Sequence, residues 1–194
     1  YDLATKFLEN RVNEVINGKK PELLWILEHK PVFTAGTSYK ECEILNKKIK
    51  IIKTSRGGKI TYHGPGQKVA YFVINLNQRK RDIRKLITSV EKCIIRTLDE
   101  FEIKSFNDKK NIGIWVNVNS EIKKVAAIGI RVKRWVAYHG FAINISNSLD
   151  AYKNIMACGI PSKRVTNLLS VRDADYTKIN KIIIKNFLRI FKKS

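Results

Sequence analysis

The chain has 194 residues with 38 Lys plus Arg against 17 Asp plus Glu, a formal charge of +21, and its length suits one globular domain over 1–194. A hydrophobic fraction of 44% with only four prolines excludes intrinsic disorder. The longest apolar runs, VAYFVINL at 69–76 and VAAIGI at 125–130, fall far short of the roughly 20 residues that span a bilayer, which excludes a transmembrane helix.

In chain order, Leu3, Phe7, Leu8, Val12, Val15 and Ile16 share one face and predict an amphipathic helix over 3–16, ended by Gly18. This opening segment contains acids and no contiguous apolar stretch, so it is not read as a signal peptide, and a start at Tyr1 rather than Met implies a few missing residues. Residues 22–29 and 31–37 read as strand, turn and strand, with Pro31 breaking the pairing. A polar insert follows, then a strand at 49–54, a glycine-rich segment at 56–67 and the apolar strand at 69–76. Ile83, Leu86, Val90, Cys93, Ile94, Leu98 and Phe101 keep a helical period, which predicts a helix over 82–101. Strands at 113–118 and 123–132 form a hairpin around Asn119, Ser120 and Glu121, a further strand covers 137–145, and a helix closes the chain over 173–191. Grouped strands with helices between and after them predict an α+β fold with a mainly antiparallel sheet.

The densest cluster of special residues is RGGKITYHGPGQ at 56–67. Four glycines there permit close backbone approach to a ligand, while Arg56, Thr61, His63 and Gln67 supply hydrogen-bonding groups. A plain two-turn hairpin connection accounts for the same composition. The segment matches neither the GxxxxGK[ST] phosphate loop nor a GxGxxG opening a helix, so ATP and NAD receive no support. Cys42, Cys93 and Cys158 are odd in number and widely spaced, which fits neither a disulfide framework nor a zinc site and points to a reducing compartment. Cys93 falls on the buried helix stripe and Cys42 in a polar run, whereas Cys158, in MACGIP, belongs to a turn.

The ordered segments WILEHKPVFTAGT, RGGKITYHGPGQ, GIWV, KKVAAIGIRV, YHGFAINI and ACGIP, from near residue 22 to residue 161, resemble the lipoyl(octanoyl) transferases. The resemblance implies a fold like that of biotin and lipoate protein ligases, related to the class II aminoacyl-tRNA synthetase core. It implies that Cys158 is a nucleophile taking the octanoyl group as a thioester, with Lys124 as its cationic partner. It places substrate binding on Arg56, Gly57, Gly58, Lys59, Ile60, Thr61, Tyr62 and His63, on Ala127, Ile128 and Gly129, and on Gly140, Phe141 and Ala142. His63 and His139 are candidates for proton transfer or positioning, and His29 has no assigned role.

The implied donor is octanoyl-acyl carrier protein, which brings its own phosphopantetheine arm. The implied acceptors are lipoyl domains of 2-oxoacid dehydrogenase complexes and the glycine cleavage H protein. No ATP, metal or other cofactor is expected, and the expected compartment is the cytoplasm. Lys109, Lys110 and Asn111 stand before Gly-Ile-Trp where the family often has an arginine and a proline, a departure that bears on a loop rather than on Cys158 or Lys124. The nearest alternative is an ATP-dependent lipoate or biotin ligase. A nucleic-acid-binding module would use the +21 charge, but Phe33, Tyr71, Phe72, Trp115 and Phe141 sit inside apolar strands instead of on a basic face.

Overall fold

The computed structural model describes residues 1–192. Its framework is a six-stranded antiparallel sheet in the order β1-β5-β9-β8-β7-β6, comprising β1 (Leu23–Leu27), β5 (Gln67–Asn75), β9 (Val136–Asn144), β8 (Glu121–Lys133), β7 (Ile114–Val118) and β6 (Ser105–Asn107). A smaller sheet orders β3 (Ile51–Lys53), β2 (Val32–Ala35) and β4 (Ile60–His63), with β2 parallel to β3 and antiparallel to β4. The α+β expectation with a mainly antiparallel sheet is met.

Residues 69–74 are apolar without alternation because both faces of β5 are covered. Val69, Tyr71 and Val73 pack under α1 (Asp2–Ile16), which contributes Leu8, Val12 and Val15. Ala70, Phe72 and Ile74 face the opposite core, built with α2 (Ile83–Asp99) and the last helix (Ile179–Phe191). Burial of each such Leu, Ile or Phe stabilises the fold by about 1.5–3 kcal/mol. In α2 the buried stripe Leu86, Val90, Cys93, Ile94 and Leu98 follows the predicted period, and the Asp82 carboxylate caps the first turn by accepting from the Lys85 N–H at 2.9 Å.

Three readings of the sequence need correction. Residues 23–27 and 32–35 belong to different sheets, so Pro31 separates sheets as well as strands. The glycine-rich segment contains the strand β4, whose four residues are all buried. The last helix begins at Ile179 rather than at 173, because the Asp175 carboxylate accepts from both the N–H and the hydroxyl of Thr177 and holds a local turn. A third apolar cluster, with Ile60, Tyr62, Trp115, Tyr152, Ile155 and Ala157, joins the small sheet to Trp115 of β7 and supports the site described next.

Candidate active site

Cys158 sits in a single helical turn, Ala157–Gly159, with left-handed backbone at φ 56°, ψ 21°. A non-glycine residue in that region carries strain, held here by the turn's anchors. Ala157 is buried in the third cluster, the Gly159 N–H donates to Met156 O at 2.8 Å, and the Met156 N–H donates to Glu43 O at 2.8 Å. The thiol is half-buried, whereas Cys93 is buried and pushed up to about 12 by desolvation, and Cys42 is exposed. Of the three, Cys158 alone lines a cleft of about 820 Å³.

Lys124 lines the same cleft and is the only buried lysine among the described residues, at 6% exposure. A bulge puts it there. Trp115 pairs with Lys124 but Ile114 pairs with Ala126, so β8 carries one extra residue at Val125, and Lys124, Val125 and Ala126 are all buried. The ammonium donates to Ile112 O at 2.7 Å and lies 5.4 Å from the centroid of the Trp115 ring. Gly113, at φ 141°, lies directly beneath: a Cβ there would collide with Lys124 Cε and stand 2.9 Å from Nζ.

The resemblance-derived stretches converge on this cleft. Arg56, Gly57, Gly58, Lys59, Thr61 and His63 line one wall, and Ala127, Ile128, Gly129, His139, Gly140, Phe141 and Ala142 line another. Ile60 and Tyr62 do not. Strand alternation turns them from Thr61 and His63 into the third apolar cluster. Gly57 comes so close to β8 that a Cβ would stand 2.7 Å from Ile130 O, and a Cβ on Gly140 would overlap Ala70 O across the β5–β9 pair. Both glycines are therefore required by backbone approach, beyond any contact with a ligand.

All three histidines of the chain meet at one polar end of the site. The His29 and His63 rings lie 5.8 Å apart, Tyr71 lies 5.7 Å from His29 and 6.3 Å from His139, and His29 Nε2 is 2.8 Å from the Tyr71 hydroxyl. Burial pushes His63 down to about 3, with the charge of Arg56 adding to it, and pushes His29 and His139 to about 4. The rings are neutral at pH 7. Arg56 is buried, with its guanidinium donating to Thr34 O and Thr34 Oγ1 at 2.9 Å each and to Gly57 O at 3.1 Å. Gln67 joins His63 to the far wall: its Oε1 is 2.6 Å from His63 Nδ1, and its Nε2 donates to Asn144 Oδ1 at 2.8 Å and to the Tyr152 hydroxyl at 3.0 Å.

A thiol and a buried ammonium at one cleft, with glycine backbone and aliphatic walls beside them, supply the parts for nucleophilic acyl transfer. Sequence reasoning left out His29, Tyr71, Asn144 and Trp115. Histidine rarity was the available signal for His29: three in 194 residues, all brought together.

The class is that of the lipoyl protein ligase A/B catalytic domain, whose family model matches residues 2–188. Octanoyltransferase of Rickettsia prowazekii (strain Madrid E) is 45% identical over 197 residues, covering 99% of this chain and 94% of that protein. Octanoyltransferase of Anaplasma phagocytophilum (strain HZ) is 41% identical over 194 residues, covering 98% and 93%. Among solved structures, a lipoate-protein ligase A bound with ATP superposes with a TM-score of 0.70 at 17% identity, over 88% of this chain and 73% of the other; at that identity the likeness shows the fold. The chain therefore belongs to the lipoyl(octanoyl) transferase family and is an acyltransferase.

Proposed function

We propose that the enzyme moves an octanoyl group from octanoyl-acyl carrier protein to one lysine of a lipoyl domain through a thioester on Cys158, in endogenous protein lipoylation. The observation that carries this reading is the meeting of the left-handed Cys158 turn and the buried Lys124 at a single glycine-walled cleft. Acceptors are the lipoyl domains of 2-oxoacid dehydrogenase complexes and the glycine cleavage H protein, and the setting is the reducing cytoplasm.

The protons balance through Lys124. A free thiol near pKa 8.5 is only a few per cent thiolate at neutral pH, so an ammonium beside it raises the nucleophilic fraction. The Cys158 thiolate attacks the donor's thioester carbonyl, and the carrier thiolate leaves with a proton from the Lys124 ammonium. Neutral Lys124 then takes a proton from the acceptor's ammonium, which otherwise releases its amine in roughly one molecule in a few thousand at pH 7. That amine attacks the acyl-enzyme, the Cys158 thiolate departs, and the second amine proton goes to solvent. The starting charge pair is restored.

His63 and His139, depressed to about 3 and 4, are poor bases at pH 7 and serve positioning. Exchange of one thioester for another keeps the acyl group activated, so the cycle needs neither ATP nor a metal. The cleft's aliphatic wall, including Ile128, Phe141 and Ala142, receives the saturated chain.

Intact-mass analysis after mixing with octanoyl carrier protein tests this. One hydroxylamine-labile adduct is expected, absent from Cys158→Ala and formed more slowly by Lys124→Ala. An adduct on Cys42 or Cys93, or consumption of ATP with free octanoate, overturns the assignment.

A further inference from the structure

Beyond the Cys158–Lys124 pair, a second ion pair reaches the Cys158 turn. We propose that Lys59 is a positioning residue for the Cys158 thiolate and that Glu43 governs how much of the Lys59 charge the sulfur receives; this rests on the nucleophilic role given to Cys158 above. Glu43 is 3% exposed in the short turn Glu41–Glu43. Its carboxylate takes the Lys59 ammonium at 2.7 Å and the Lys40 N–H at 3.2 Å, while its carbonyl takes the Met156 N–H. One residue thus grips both the turn that presents the thiol and a cation of the glycine-rich loop.

The Lys59 side chain lies across Gly159. A Cβ on Gly159 would run into Lys59 Nζ and stand 3.1 Å from Cδ and 3.2 Å from Cε. The residue after Cys158 is therefore glycine for two reasons, its φ of +74° and the lysine filling the side-chain position. The hydrogen bond to the Glu43 carboxylate raises the Lys59 pKa, and the charge of that carboxylate adds to it.

The titratable and charged groups around the thiol come from every neighbouring element: Arg56 and Lys59 from the glycine-rich loop, Tyr62 from β4, Lys124 from β8, Tyr152 from the 150–154 turn, and Cys42 and Glu43 from the insert. Arg56 is fixed on Thr34, and Lys124 on Ile112. Lys59 is the cation of this set held by a carboxylate, so its field at the sulfur depends on Glu43. The two ends of one ion pair should then move the thiol in opposite directions.

The test is iodoacetamide alkylation of the full chain as a function of pH, resolved by peptide so that Cys42 and Cys158 are read separately. Lys59→Met should raise the Cys158 midpoint by about half a pH unit, with about a threefold loss of thiolate below it, since the cation is part-exposed and its field screened. Lys59→Arg should restore the midpoint, and Glu43→Gln should lower it. A purely structural clamp gives no sign reversal: shifts in the same direction, or an unmoved midpoint in Lys59→Met, overturn the proposal. Acyl-adduct mass on wild-type protein separates the two readings, because absence of a Cys158 adduct overturns the transfer mechanism while the titration still decides Lys59.

Discussion

Acidification from pH 7.5 to 5.5 should destabilise the folded enzyme through its three histidines. Each is held neutral by burial, with folded values of about 4, 3 and 4 for His29, His63 and His139 against about 6.5 in an unfolded chain. The folded values are depressed, so the unfolded state binds more protons between them and 6.5. Stability is fully present above 6.5 and is lost as pH falls toward 4 and then 3. At pH 5.5, one unit below the unfolded value, His63 and His139 each cost about 1.4 kcal/mol relative to neutrality. His29 is the least deeply buried, and solvent screening reduces its share, so the sum is about 3–4 kcal/mol. That is a large part of the roughly 5–15 kcal/mol by which a domain is stable. Urea unfolding at pH 7.5, 6.5 and 5.5 reads it, and His63→Gln should flatten the slope by about a third or more. No other side-chain type has its ordinary pKa in this window, and the chain has three histidines, so a flat profile refutes the neutral buried cluster.

Two further outcomes are expected. Gly113→Ala should lower kcat/KM for acyl transfer by about 100-fold, because the new methyl enters the volume of Lys124 Cε and approaches Ala126 O to 2.7 Å at a φ of 141°; an unchanged rate in a folded variant refutes Lys124 placement by this loop. The rate constant for acylation should fall with salt for an acidic carrier-protein donor and change little for a small acyl thioester, since +21 steers only a charged partner. Equal salt dependence in the two assays removes that role from the charge.

Period and alternation revealed most of the fold, because a residue's face follows from its neighbours three or two positions away. Hence α2 and the β7–β8 hairpin are legible, the latter closing at Asn119 and Ser120 with φ of 50° and 65°. What stays hidden depends on tertiary partners. The β8–β9 hairpin turns at Arg134 and Trp135, both at positive φ and neither a usual turn residue. β4 is masked by surrounding glycines, and the bulge at Val125 leaves no mark in KKVAAIG. The site divides the same way. Cys158 stands out by its turn, and the motifs carry the glycine walls, but nothing local in HKPVF reveals that His29 reaches Tyr71, 42 residues away. Likewise Glu43, in a polar run, gives no hint of its burial against Lys59.

The polar network also fixes which proton His63 carries. Gln67 donates its amide nitrogen to Tyr62 O at 3.2 Å, an acceptor that cannot donate, so Gln67 Oε1 is the atom facing His63. His63 Nδ1 must then donate to it, and in the neutral ring Nε2 is left as an acceptor. The order continues across the central sheet, where Gln67 and Asn144 are cross-strand partners. Asn144 Nδ2 donates to Thr166 O at 2.9 Å, and the Thr166 N–H donates to Lys124 O at 2.9 Å. Apolar side chains of the same shape could fill this region at little cost in stability, but they would not set direction, whereas a hydrogen bond left half-made here costs about 1–3 kcal/mol. The chain from His63 to the backbone of Lys124 therefore ties two walls of the cleft in register.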